Sequence, residues 1–405
     1  MPQRTIAAGG GNWNSTGTWV EGAVPTSSDF VVGNASSGQL TINVAAACQY
    51  VDFTSYANTL TMNNTITASL ASSTNTFGTS MSFAGTSSFN INSTSTIVQN
   101  TTNRIPALNY NSSGTFTLST DVNVVNLLTG TNGFTITAGV ARNLNVSGSF
   151  TSASAGISLN ANITVNFDGT GTINARFLGG SGTQGLWRIN TAGTLTFDTT
   201  NGIYFIDTAN FTYVAGTLVT PTIRWIAQTT GTLTLNSSGV NWDNFIFTDI
   251  ANAATQSIAL AQDLNVGTFI IARDRGSSTE TIQFTSTGKL NVTDRMILQT
   301  NTSTLSGIFR LNTTGAHYID KLFALSGSFA KYLFRSTTNG VKATLQLGDK
   351  SNSPIFYVDF TDINASSGQE IRTYNGTVSN CDNVVSYSST IFAAGGGETS
   401  SVFIS

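Results

Sequence analysis

The residues of this chain that could do chemistry are few, and most are carboxylates in a repeated phrase. FIFTDI (Phe245 to Ile250) and VDFTDI (Val358 to Ile363) place Asp249, Asp359 and Asp362 at the ends of alternating apolar runs. Asp207, Asp243 and Glu370 complete the set. Glycoside hydrolysis needs two carboxyls roughly 5 to 10 Å apart, a separation that adjacent layers of a repetitive fold supply. An Asp that recurs at a strand end is also well suited to capping turn amides. The repetition favours capping, so no catalytic residue is assigned.

Isolated aromatics in Thr-rich surroundings raise a second chemistry. Trp187, Trp225 and Trp242 could offer ring faces to a sugar, or fill the core of the layer they belong to. Residues this large are usually buried, and core filling is the leading reading. His317 is the single histidine, and Cys48 and Cys381 are the two cysteines. Zinc and iron sites want three or four converging soft ligands, so no metal and no other cofactor is expected. Two cysteines also make no disulfide framework. Cys48 and Cys381 read as buried thiols, and His317 in NTTGAHYID as a hydrogen-bonded surface or core residue.

GGSGTQG from Gly179 has the glycines of a phosphate loop without its lysine, and reads as a flexible loop. RDRGSSTE, Arg273 to Glu280, is the densest charge cluster and reads as a solvent loop.

Charged residues form 9% of the 405, hydrophobic residues 40%, aromatics 10%, and there are 39 glycines. A soluble protein ordinarily carries about 25% charge. Disorder would also require few aromatics, so this chain folds. With 17 Lys and Arg against 20 Asp and Glu the formal charge is -3, and no basic run appears. Nucleic acid is therefore not an expected partner. No stretch approaches the ~20 apolar residues of a membrane span, and no membrane insertion is expected. MPQRTIAAGGG lacks the apolar run of a signal peptide, which points to assembly in a cytoplasm.

What must position these residues is a set of short strands. GQLTINV at Gly38, SGTFTL at Ser113, NGFTIT at Asn132, GTLTF at Gly193, GTLTL at Gly231 and ATLQL at Ala343 all alternate apolar with Thr, Asn or Gln. That is the half-buried strand signature. RNLNVSGSF, QDLNVGTFI and GKLNVTDRM repeat a second phrase. A sandwich gives no reason for one strand sentence to return along a whole chain, whereas a solenoid does. Coils of roughly 20 to 25 residues are expected. In stacked coils each outward side chain lies about 4.8 Å from its counterpart, so hydroxyls and amides ladder where ions would repel. That requirement accounts for the missing charge. The fold class is all-β, a right-handed parallel β-helix, or β-solenoid.

GGGNWNSTGTWVEGAVPTSSDFVV, Gly9 to Val32, concentrates Trp13, Trp19, Pro25 and Asp29. The first coil of a solenoid exposes core and unpaired backbone. Two tryptophans cover the core, proline blocks further pairing, and Asp29 satisfies a turn amide. The expected organisation is an arm and cap over 1–34, a solenoid over 35–390 and a tail over 391–405. No lysine precedes Lys289, and this change marks a possible subdivision near 270–290.

Gly-x-Trp, Trp-x-x-Gly and Val-Pro-Thr-x-x-Asp-x-Val, followed by TINVAAACQYVDFTSYANTLTM, resemble the N-terminal coils of right-handed β-solenoid virion proteins of tailed bacteriophages. The likeness is close over about the first sixty residues and stylistic beyond them; bacterial surface adhesins share it. It implies a non-enzymatic structural component of a virion: a tail fibre, tail spike or head fibre for host attachment or particle decoration. A depolymerase cleaving host polysaccharide and a bacterial adhesin are the alternatives. The implied partners are the chain itself, as a homotrimer, other virion proteins and a host surface glycan.

Overall fold

The computed structural model describes residues 1–387 except 131–132, 153–155, 181–183, 199–201, 228, 238, 250–254, 274–279, 301–306, 327–331 and 349–354. Among the described residues there is no α-helix. One 3-10 turn, Thr16–Thr18, interrupts a succession of short strands. The chain divides into two compact units, Met1–Ile246 and Phe247–Ser405. That boundary lies upstream of the change in lysine content, and the tail over 391–405 lies outside the described residues.

Among the described residues every strand ladder of the first unit is parallel and steps forward by about one coil, with an isolated antiparallel bridge between Ile6 and Trp19 in the cap. Phe30–Val32 receives Gln3–Thr5 on one side and Val51–Phe53 on the other, with Val31 opposite Val51. Ser73 then lies opposite Ser95, Ser95 opposite Phe116, and Phe134 opposite Ile157. A second ladder runs from Ala46–Cys48 through Ile66–Ala68, Ser88–Ile91 and Ile105–Tyr110. A short third one joins Gly11–Asn12, Leu40–Ile42, Thr59–Met62 and Ser82–Gly85. Parallel strands joined coil to coil are the geometry of a β-solenoid.

The alternation sets which side chains go in. Thr115–Leu118 and Thr59–Met62 both read half-buried, buried, half-buried, buried, with the apolar residue inside each time. In the second unit the inward positions stack by kind. Phe309 lies opposite Phe334, and Phe334 opposite Phe360, with ring centroids 5.0 and 5.5 Å apart. Each fully buried ring contributes about 1.5 to 3 kcal/mol of apolar burial. Some coils here are longer, since Leu264 lies opposite Leu290 and His317 opposite Leu345, and others are short, with Phe360 opposite Val378.

Outward positions stack by kind as well. Asn145 donates its side-chain amide to Asn123 at 2.9 Å, and Asn166 donates to Asn145 at 3.3 Å. Asn291 donates to Asn265 at 2.9 Å, and the hydroxyls of Thr59 and Ser82 meet at 2.8 Å. Thr74, Thr96, Thr117 and Thr137 form a column over four coils.

At the N-terminus the cap residues close the first coil. Trp13 and Trp19 are both 2% exposed, their rings meet edge to face at 5.1 Å, and the Trp19 indole donates to the Trp13 carbonyl at 2.9 Å. Pro25 is buried beside them in sequence. The Asp29 carboxylate accepts the Thr26 amide at 2.8 Å and the Thr26 hydroxyl at 2.9 Å, and faces Arg4 at 3.5 Å. Gly10, at φ +60, lies so close to Gln39 that a Cβ would meet its carbonyl oxygen at 2.2 Å. Only glycine lets this segment close on the next coil.

Candidate functional site

The structure gives the expected carboxylates structural work. Asp362 sits at φ +56 and is 4% exposed. Its carboxylate accepts the Gly340 amide at 2.9 Å and the Asn380 side chain at 2.6 Å. These bonds, the Asn380 one foremost, hold its pKa below the ordinary carboxylate value. Asp359 accepts the Thr377 amide at 2.6 Å. Asp207, at φ +47, accepts the Thr229 amide at 2.8 Å. Asp243 is exposed, and Glu370 pairs with Arg372 at 2.7 Å. The Asp249 side chain lies outside the described residues. Each Asp that accepts a backbone amide here ties one coil to the next.

The tryptophan platforms are corrected. Trp187, Trp225 and Trp242 are 1%, 0% and 1% exposed, so no ring face is open to a sugar. Trp187 stacks on Phe150 at 5.9 Å, and Trp242 meets Phe197 and Phe211 at 5.9 and 5.7 Å. The Trp225 indole donates to the Asp207 carbonyl at 2.8 Å. The physical reason is register: each ring falls on an inward position of its strand, where its large apolar area is removed from water.

His317 is a core residue, fully buried. Its Nδ1 accepts the Leu290 amide at 3.0 Å, and its Nε2 lies 3.1 Å from the Asn312 carbonyl. The first bond requires a bare Nδ1, so the ring is neutral with its proton on Nε2. Burial lowers its pKa below 6.5. Cys48 is buried and its thiol is pushed up to about 12 by desolvation. Cys381 is only half-buried, which corrects the expectation of a buried thiol; its Sγ donates to the Ser379 carbonyl at 3.2 Å. Among the described residues no cluster of His, Cys, Asp or Glu could hold a metal ion. Residues 181–183 and 274–279, the centres of the glycine loop and of the charge cluster, lie outside the described residues.

Two solvent-open depressions mark the second unit. One, of about 410 Å³, is lined by Gln283, Thr285, Thr287, Asn312, Thr313 and Thr337 among others. Its Asn312 is spent internally, donating to the Gly288 carbonyl at 2.8 Å and accepting the Thr314 amide at 3.0 Å. The other, of about 350 Å³, is lined among others by Tyr318, Gln346, Gly348, Ser366, Ser367 and Gln369. Tyr318 and Gln346 lie opposite each other on successive coils. The Tyr318 hydroxyl donates to Asp320, itself 7% exposed, at 3.0 Å. Gly348 leaves room for this pair: a Cβ there would meet the Asp320 carboxylate at 2.3 Å and the Tyr318 hydroxyl at 2.6 Å, and both side chains would have to shift. Sequence reasoning missed this group: Tyr318 and Gln346 become neighbours only through coil length.

The fold defines the chain as a β-solenoid protein. No protein family, no curated protein and no solved structure matches it.

Proposed function

We propose that the protein is a non-enzymatic structural component of a phage virion, a stiff fibre or appendage for host attachment or particle decoration. The observation that carries this reading is the use of the carboxylates: Asp207, Asp359 and Asp362 each accept a backbone amide from the neighbouring coil. Acid and base catalysis needs a carboxyl free to meet substrate. The N-terminal resemblance supplies the virion setting. Self-association as a homotrimer belongs to the proposal. It is supported by the exposed Val214 and Val219 of strand Ala209–Val219, 49% and 41% exposed, since apolar surface left open is what an assembly interface covers.

Mass spectrometry and immunogold labelling of gradient-purified phage particles test the proposal. The chain is expected in the particle at stoichiometric copy number and labelled on its surface. Its absence from the particles, or its presence on the bacterial surface alone, contradicts a virion role. Release of oligosaccharide from host capsule by the purified chain contradicts the non-enzymatic role.

A further inference from the structure

The 350 Å³ depression combines features that point to one ligand chemistry. Tyr318 supplies an aromatic wall, held by its hydroxyl on Asp320. The side-chain amide of Gln346 and the hydroxyls of Ser366 and Ser367 make no hydrogen bond to the described residues, so a donor and acceptor amide and two hydroxyls are left to meet solvent or a ligand. Among the described residues no Lys or Arg lines the depression, so none of them neutralises a phosphate, sulfate or carboxylate. Among them no carboxylate lines it either, and Asp320 is turned to Tyr318, so the described lining gives a cation no ligand set.

The arrangement also has a direction. Asn265, Asn291, Tyr318 and Gln346 follow one another in register over four coils. They form a neutral polar column with one aromatic, at about 4.8 Å per coil. A chain-like ligand bearing many hydroxyls and an apolar ring face matches such a column.

We propose that this depression binds a neutral saccharide unit of a longer glycan, with Tyr318 packing on the sugar ring and Gln346, Ser366 and Ser367 hydrogen-bonding its hydroxyls. The site is independent of where the protein resides, so its failure leaves the structural proposal standing.

The test is a glycan array of neutral, carboxylated and sulfated oligosaccharides with matching monosaccharides, probed with the full labelled chain, followed by titration of the best neutral binder. Retention is expected on neutral oligosaccharides. Loss of the ring in Tyr318→Ala is expected to weaken binding about 10-fold or more, and Gln346→Ala about 3- to 10-fold. Thr313→Ala, in the other depression, is expected to leave it unchanged. Melting temperatures within about 2 °C of the parent show that each variant folds. If Tyr318→Ala does not fold, Gln346→Ala and the exposed Ser366→Ala decide. Retention on charged glycans alone, retention of no neutral oligosaccharide, or affinity unmoved by the folded pocket variants overturns the site.

Discussion

At the scale of single residues, a buried polar group bonded through both of its ring nitrogens constrains its own titration, and His317 shows the consequence. Its Nδ1 accepts an amide proton, so adding a proton there turns an acceptor into a donor facing the Leu290 N–H. Burial dominates its lowered pKa; Lys289 also lowers it, while the Asn312 carbonyl and Asp263 act in the opposite sense. In the unfolded chain the ring titrates near 6.5. The unfolded state therefore binds the proton first, and stability falls as pH drops through the interval from 6.5 down to the folded pKa, then levels off. Thermal unfolding of the second unit is expected to shift downward between pH ~7.5 and ~5, and His317→Gln is expected to flatten that portion of the profile. An unchanged pH dependence in the variant counts against the neutral, bonded ring. Trp187 makes a complementary case. Trp187→Ala is expected to lower stability by about 3 to 5 kcal/mol by denaturant unfolding without changing saccharide retention. Lost retention in a folded variant would return Trp187 to the surface.

At the scale of strands and coils, like lies on like. The alternating phrases are legible directly, because SGTFTL and NGFTIT carry both the strand period and the inward face. The turn use of Asp362 is legible too, because Asp recurs where a strand ends. Less legible is which residue stacks on which, since coil length sets that and it varies. Val31 meets Val51 after twenty residues, whereas His317 meets Leu345 after twenty-eight. Burial of Trp187, Trp225 and Trp242 is the favoured reading of their size, but their ring partners, and the joining of Tyr318 to Gln346, depend on coil length.

The amide ladder gives this scale its prediction. Asn123→Asp alone still accepts the Asn145 amide and is expected to be mild, whereas Asn145→Asp keeps the acceptor for Asn166 but loses its donation to Asn123 and is expected to cost more. Together they set two carboxylates on adjacent coils about 4.8 Å apart, an unfavourable coupling of about 1 to 3 kcal/mol. Unfolding of the double-mutant cycle at low and high salt checks it. The coupling is expected to shrink as salt rises, and additive single effects at every salt concentration would contradict the stacking.

At the scale of the whole molecule, composition and fold explain one another. A chain that repeats neutral polar residues outward and apolar residues inward cannot carry ordinary surface charge without setting ions on ions. Some of the few charges bind coils together. Arg104 donates to the carbonyls of Val124 and Asn145 at 3.1 and 3.2 Å and to the Asp168 carboxylate at 2.6 Å, reaching each of the next three coils in turn. The division at Ile246 and Phe247 has no compositional mark, because the strand phrases run through it unchanged.

A cryo-electron microscopy map of the purified chain at side-chain resolution tests the account most directly. It is expected to show parallel coils rising about 4.8 Å each, with Asn123, Asn145 and Asn166 in one amide column and Phe309, Phe334 and Phe360 in one ring column. Antiparallel hairpins packed as sandwiches, with those residues facing unlike neighbours, would contradict it.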